Sequence, residues 1–336
     1  MKNKKRAISI LFIAVSTLIF IFFSIKNKIN STNDEVYIDR NVIKTESNSS
    51  DIVKNIYTMP RLSFSYNKPE FLAYKINYTS VDINEYNINS SQLINSISIN
   101  INDLITISSF DNDYLYYINN KNTLLKINKK NLKTEKIKDS VYNAFPINKE
   151  QFLIYSTIKN ENKYNIGIYK LNLNSELNNI LTNQSDTIYK MENILLYDGY
   201  FTQHGNGYFS YTYYNIPKII LFKSDLTYLK TFILSDQTAL PAIYARNNTF
   251  TLSQSFKSFT KGVCLNNSRK KLVVFSNYFN KYNHGILLDY YSLETGKYEN
   301  SKLIVIKNQK INNSYIQKIY SKDKIKIFSF GDIINI

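Results

Sequence analysis

Along most of the chain, apolar and polar residues alternate in short bursts rather than at helical spacing. The stretch Gly207–Phe232 carries the pattern most plainly. Between Gly207 and Tyr214, Phe209, Tyr211 and Tyr213 fall on one face of an extended segment, and Ser210 and Thr212 fall on the other. A break containing Pro217 follows, then the apolar run Ile219–Phe222. Lys223-Ser224-Asp225 supplies turn chemistry, and Tyr228–Phe232 reads as a third strand. Short aromatic and β-branched runs separated by polar turns predict a meandering antiparallel sheet.

Weaker copies of this unit recur. Strands are predicted over Phe71–Ile76 and Val81–Tyr86, then over Leu104–Ser108, Tyr114–Ile118, Thr123–Ile127 and Leu132–Ile137. A second group runs Gln151–Ser156 and Asn165–Leu171, with a short return near Leu177. The third opens with Ile194–Tyr197 and continues into Gly207–Phe232. The fourth holds Thr249–Ser253, Leu272–Phe275, Ile286–Tyr291 and Lys297–Lys302; the tail adds Leu303–Lys307, Ser314–Tyr320 and Ile325–Phe330. The closing hairpins LLKINKKNLKTEKI, IGIYKLNLNSEL, IILFKSDLTYLKTF and LLDYYSLETGKYE share an apolar strand, a polar turn and a return strand. Aligned on Leu132, Leu173, Leu226 and Leu293, they are spaced by 41, 53 and 67 residues. Four strands per unit at this period predict an all-β, β-propeller-like domain over residues 61–336, with five to seven four-stranded blades.

The first 60 residues follow a different pattern. Ala7–Ile25 is an uncharged, largely apolar run of 19 residues behind Lys2, Lys4, Lys5 and Arg6. As a helix it would extend about 28 Å, close to the hydrocarbon thickness of a bilayer. No small-residue cleavage site follows it, so the expectation is one N-terminal transmembrane helix acting as a signal anchor. The stronger positive charge ahead of it keeps the N-terminus cytoplasmic and the C-terminal domain extracytoplasmic, that is periplasmic. Cleavage and secretion is the alternative. Residues 1–25 are thus the basic tip and anchor, and polar residues 26–60 read as a stalk.

Composition supports strands: 29 tyrosines and 20 phenylalanines stand against no tryptophan and eight glycines. The formal charge is +16, but six basic residues sit in residues 1–30, which hold no acid. The other lysines are scattered, and arginine, the usual reader of phosphate and guanine, occurs only five times. The chain therefore does not read as a nucleic-acid binder. A single cysteine, Cys264, excludes an intramolecular disulfide, and its apolar neighbours Val263 and Leu265 point to a buried thiol.

Candidate chemistry is sparse. His204 lies in TQHGNGY and His284 in NKYNHG; both read as loop residues ahead of a strand, which could place them on one rim of a propeller. Their separation matches no metal spacing, so no metal or cofactor is expected. Asp111-Asn112-Asp113 lacks the glycine and the glutamate of a calcium loop and reads as a turn. Nucleophile-elbow and phosphate-loop motifs are missing. Tyr197, Tyr200, Tyr208, Tyr213 and Tyr214 are either a ligand platform or strand packing. The candidate binding residues are His204, Tyr208, Tyr213, Tyr214 and His284.

Anchor, stalk and repeated hairpins, with FSYTYYNIPKIILFKSDLTYLKT as the fullest unit, resemble uncharacterised membrane-attached bacterial propeller proteins of the broad NHL/TolB-like kind. The resemblance implies a membrane-anchored extracytoplasmic binding or scaffold protein. Its partners would be the bilayer, through residues 7–25, and a protein, peptide or glycan ligand, with catalysis not implied. Two alternatives stand: a glycan- or peptide-directed hydrolase or lyase in the propeller funnel, and the sensor ectodomain of a membrane complex. Facing carboxylates across the funnel would favour the enzyme, and a tyrosine rim alone would favour binding.

Overall fold

The computed structural model describes residues 42–47, 52–53, 59, 61–101, 103–160, 163–173, 177–186, 195–204, 207–235, 243–246, 249–252, 260–266, 270–276, 286–306, 316–321, 325–329 and 332–335. The anchor run 7–25 and His284 lie outside these residues. Among the described residues, no helix is long and apolar enough to cross a membrane. Strand is the dominant structure, as the alternation predicts.

Two strands, β1 (Val42–Ser47) and β2 (Ile52–Val53), precede the first sheet. That sheet is β3 (Arg61–Phe64), β4 (Glu70–Ile76), β5 (Val81–Asn87) and β6 (Leu93–Ile99), paired in chain order. The second is β7 (Leu104–Phe110), β8 (Tyr114–Asn119), β9 (Leu124–Asn128) and β10 (Thr134–Lys138). The third is β11 (Val141–Pro146), β12 (Gln151–Asn160), β13 (Lys163–Asn172) and β14 (Leu177–Asp186). The fourth is β15 (Gly199–Gln203), β16 (Phe209–Tyr213), β17 (Lys218–Phe222) and β18 (Tyr228–Ile233). A hairpin of β19 (Ile243–Arg246) and β20 (Thr249–Leu252) is inserted next. The fifth sheet is β21 (Thr260–Asn266), β22 (Lys271–Ser276), β23 (Ile286–Ser292) and β24 (Tyr298–Ile306); the last is β25 (Ile316–Ser321), β26 (Ile325–Ser329) and β27 (Asp332–Asn335).

These sheets form a β-propeller. The first strand of each meander is innermost: β3 packs on β7, β7 on β11, β11 on β15, β21 on β25, and β25 on β3. The contact of β25 with β3 brings the first and last sheets together. The N-terminal strands complete the outer edges. β2 pairs antiparallel with β27, giving the last sheet its fourth strand, and β1 lies parallel to β24 as a fifth strand of its sheet. Five of the described sheets are therefore four-stranded, and the fifth in chain order has β1 added to its meander. This count agrees with the expected range.

The core lies between sheets. The middle strands are buried on both faces, so the alternation of Phe209, Tyr211 and Tyr213 against Ser210 and Thr212 does not divide core from solvent; all five are buried. Phe209, Tyr211 and Tyr213 join Tyr116, Phe152, Tyr155 and Ile166 in one cluster spanning the second to fourth sheets. Ile219, Leu221 and Phe232 face the fifth sheet, against Val263, Leu272 and Tyr291. Ring pairs knit the boundaries, Tyr116 with Phe152 at 5.2 Å and Tyr155 with Tyr211 at 5.6 Å. A polar clasp also crosses one boundary. Tyr66, from the β3–β4 connection, donates to Asp111 Oδ2 at 2.9 Å, and Tyr116 donates to the same oxygen at 3.2 Å. Asp111 Oδ1 accepts the N–H groups of Asp113 and Tyr114, both at 2.8 Å. The segment 111–113 is thus a closed Asx turn.

Several sequence expectations are corrected. Leu195–Tyr197 forms no strand; the fourth sheet begins at Gly199. Leu303–Ile306 is not a separate element but the end of β24. β1 and β2 fall inside the stretch read as stalk, because edge strands that only add to a sheet need little apolar surface. The leucine alignment also slips. The hairpins Asn87–Gln92, Asn128–Lys133 and Ser292–Lys297 close alike, with the fifth residue's N–H bonded to the first residue's carbonyl at 2.8–2.9 Å. That fifth residue takes the left-handed conformation, at Ser91, Leu132 and Gly296. Leu132 therefore matches Gly296 and not Leu293, since backbone φ, rather than side-chain type, sets the register of these turns.

Candidate functional site

β15 is the innermost strand of the fourth sheet and starts at a glycine. A Cβ at Gly199 would lie 2.2 Å from the Thr212 carbonyl oxygen, so only glycine lets β15 approach β16 this closely. The Gly199 carbonyl accepts the Asn143 side-chain amide at 2.6 Å, tying the inner strand of the fourth sheet to that of the third. The N–H of Tyr214, just after β16, donates to the Asp198 carbonyl at 2.9 Å. These bonds hold Asp198 at one axial end of the inner strands, beside the seam between the third and fourth sheets.

Tyrosines surround the Asp198 carboxylate. Its charge reaches Tyr155 on β12, Tyr211 on β16 and Tyr214. Tyr155 and Tyr211 are buried in the core cluster beneath it. Two further ring pairs stand beside it, Tyr200 with Tyr214 at 5.4 Å and Tyr197 with Tyr213 at 6.0 Å. The Tyr211 hydroxyl donates to the Tyr197 carbonyl at 3.0 Å, which fixes the buried ring to the segment ahead of β15.

The electrostatics follow from this packing. The Gly199 N–H donates to Asp198 Oδ1 at 2.8 Å, and this is the carboxylate's one hydrogen bond among the described residues. Burial pushes the carboxyl up to about 6, against the pull of that N–H. Burial first, and then the Asp198 charge, hold the Tyr155, Tyr211 and Tyr214 phenols well above their usual range. For Tyr214 the Tyr74 phenol of the first sheet adds to the effect, which places a residue of β4 at the same end of the molecule. Asp198 itself is half-buried.

The sequence candidates divide around this tyrosine cluster. Tyr213 and Tyr214 belong to it, with Tyr197 and Tyr200. His204 lies at the far end of β15, buried, its Nε2 2.8 Å from Ser210 Oγ; burial pulls it down to about 3, so it is a neutral packed side chain and not a rim residue. Tyr208 packs at the edge of the cluster shared with the fifth sheet. Cys264 is buried, and burial pushes its thiol up to about 12. Asp198, Tyr155 and Tyr211 were not singled out by sequence. The available signal was the string Tyr197-Asp198-Gly199-Tyr200, an acid ahead of a glycine between two aromatics. A concavity of about 530 Å³ lies between β18 and Thr295–Tyr298. Of its two lysines, Lys230 and Lys297, Lys230 is already bonded to the carbonyls of Leu293 and Glu294.

No protein family matches the chain, and no curated protein matches it. Among solved structures it is similar to Hsv2 from Kluyvelomyces marxianus, with a TM-score of 0.40 and 9% identity over 82% of this chain and 89% of that one. It is also similar to Kluyveromyces lactis Hsv2, with a TM-score of 0.39 and 11% identity over 80% and 89%. The C-terminal WD40 domain of Sif2 gives a TM-score of 0.40 and 11% identity over 82% of this chain and 80% of that one.

Proposed function

We propose that this propeller is a binding or scaffold protein, held at a membrane by residues 7–25 and working on the extracytoplasmic side. Its partner would be a protein, peptide or glycan that docks at the tyrosine cluster around Asp198. The observation that carries the binding half is a carboxylate set among tyrosine rings at the end of the inner strands, with one backbone N–H as its described donor. Such a group costs stability in the folded chain, and a ligand able to complete its coordination recovers that cost. The membrane half rests on the 19-residue apolar run and on the basic residues ahead of it. Glycosidase-type chemistry draws on two carboxylates about 5–10 Å apart. The described cluster offers one, which favours binding over hydrolysis.

Replacing Tyr214 by a photoreactive benzoyl-phenylalanine in cells tests the binding half. Tyr214 is 36% exposed, and Tyr78, 95% exposed in the connection after β4, serves as the control position. A discrete adduct at 214 that Asp198→Asn abolishes and position 78 does not give is the expected result. Equal labelling at both positions, or labelling indifferent to Asp198→Asn, would reject the site. Fractionation and protease accessibility test the membrane half: in untreated cells the full chain should sediment with the membranes, and protease added after permeabilising the outer envelope should digest the β domain, whereas full protection would place it in the cytoplasm.

A further inference from the structure

We infer that the outer edge of the fourth sheet accepts a strand from a protein partner, an extended peptide segment that alternates apolar residues with acidic ones. Its seat is the concavity between β18 and Thr295–Tyr298. This site is distinct from the Asp198 cluster and does not rest on that reading.

The geometry comes from the two faces of β18. The strand ends the order of its sheet, so among the described residues one side of its backbone has no neighbouring strand. Successive side chains along it point to opposite faces. Phe232 faces the fifth sheet, in one cluster with Tyr291, and Lys230 turns the same way, its ammonium donating to the carbonyls of Leu293 and Glu294. Thr231 and Ile233 therefore take the opposite face. Yet Lys230, Thr231 and Ile233 all line the same concavity of about 530 Å³. A space bordered by residues of both faces runs along the backbone edge, where the next strand of a sheet would lie. The neighbouring sheet carries such a strand already, since β1 lies parallel to β24 at its outer edge. The far wall is preformed. The Gly296 N–H bonds to the Ser292 carbonyl at 2.8 Å, and the Leu293 N–H bonds to the Lys270 carbonyl at 3.0 Å.

The lining defines the chemistry of the added strand. Tyr228, Leu229 and Ile233 are 56%, 38% and 65% exposed, so three large apolar side chains meet solvent within one six-residue strand. Charge normally blunts an open edge, as Glu135, Lys136 and Lys138 do on β10. On β18 the one charged residue, Lys230, is held by the turn carbonyls instead. The concavity is lined by Lys230 and Lys297 and by no acidic residue, and Lys297 is exposed. An incoming carboxylate thus finds a cation, and apolar side chains on either side of it find Tyr228, Leu229 and Ile233. Pairing β18 with β18 of a second copy about a twofold axis would set each copy's lysines against the other's, which favours an acidic partner over self-association.

The test uses the detergent-solubilised full chain and terminally blocked, fluorescein-labelled heptapeptides. One alternates isoleucine with glutamate, one alternates isoleucine with lysine, and the third is the glutamate peptide with proline at its centre. Fluorescence anisotropy and amide hydrogen exchange are followed. The glutamate peptide should saturate the protein and slow exchange across Tyr228–Ile233. The proline version, which cannot extend the ladder, should do neither. Lys297→Glu, with an unchanged thermal unfolding profile, should lower the affinity for the glutamate peptide about fivefold and raise that for the lysine peptide. Ile233→Ser should weaken both. Protection confined to other open edges such as β6 or β10, or no protection at all, would overturn the seat. Equal affinity for the two charged peptides, unchanged in Lys297→Glu, would overturn the acidic class. Slowed exchange across β18 that grows with protein concentration in the absence of peptide would overturn the partner in favour of a second copy.

Discussion

The backbone N–H of Tyr214 bonds to the carbonyl of Asp198 at 2.9 Å, so the residue that ends one strand fixes the residue that begins its inner neighbour. Through this bond an aromatic ring and a carboxylate are held at the same end of the propeller, although 16 positions separate them in the chain. The site is thus a product of the meander: β15 runs one way and β16 returns to the same end.

The clasp at Asp111 should contribute measurably to stability. Tyr66→Phe and Tyr116→Phe each remove one hydroxyl donor from Oδ2 and should cost about 1–3 kcal/mol in urea unfolding. The double variant should cost more than the two single changes together, because the second loss leaves that buried oxygen with no side-chain donor. Strict additivity would show that the two tyrosines do not act through the shared oxygen.

His204 predicts a specific acid sensitivity. Burial lowers its folded-state value to about 3, against an unfolded value near 6.5. Between those values the unfolded chain binds the extra proton, so this stabilising contribution is complete above about pH 6.5 and is lost as pH falls toward 3. Lowering the pH from 6.5 to 5 should remove about 2 kcal/mol. Chemical unfolding at a series of pH values should show this slope in the native chain and its absence in His204→Gln; an identical slope in both would contradict the assignment.

The N-terminal strands predict where the domain begins. A chain starting at Arg61, the boundary suggested by composition, loses β1 and β2 and exposes the edges of β24 and β27. It should melt several degrees below a chain starting at Asp39 and should scatter light on heating, as open strand edges invite association. Equal melting temperatures would mean that neither strand is needed.

How much of this was legible beforehand follows from where each strand sits. β4, β5, β8, β22 and β23 are aromatic or β-branched and buried, and their pattern gave them away. The inner strands β11, β15 and β21 were missed. Their sequences VYNAFP, GYFTQ and TKGVCLN mix small and polar residues, as crowding near the axis requires, and Gly199 shows how little room remains there. β1 and β2 were missed for the opposite reason, since strands added at an outer edge carry few core residues. Asp198 could not be read as a site from its own neighbours alone. Its environment is made by Tyr155 from the preceding sheet and Tyr211 from the next strand, which only the fold brings to it.

The most direct check on the site is the titration of the Asp198 carboxyl, followed through its side-chain carbon resonance in the native protein. Its folded-state value of about 6 lies above the unfolded value near 3.8, so the folded chain holds the extra proton between them. Stability should therefore fall as pH rises from about 4 to 6, and Asp198→Asn should be the more stable protein at pH 7.5 and not at pH 4. A midpoint near 6 is the predicted result. A midpoint near 4 would show an ordinary solvated carboxylate, and Asp198 would then have no claim to carry a binding site.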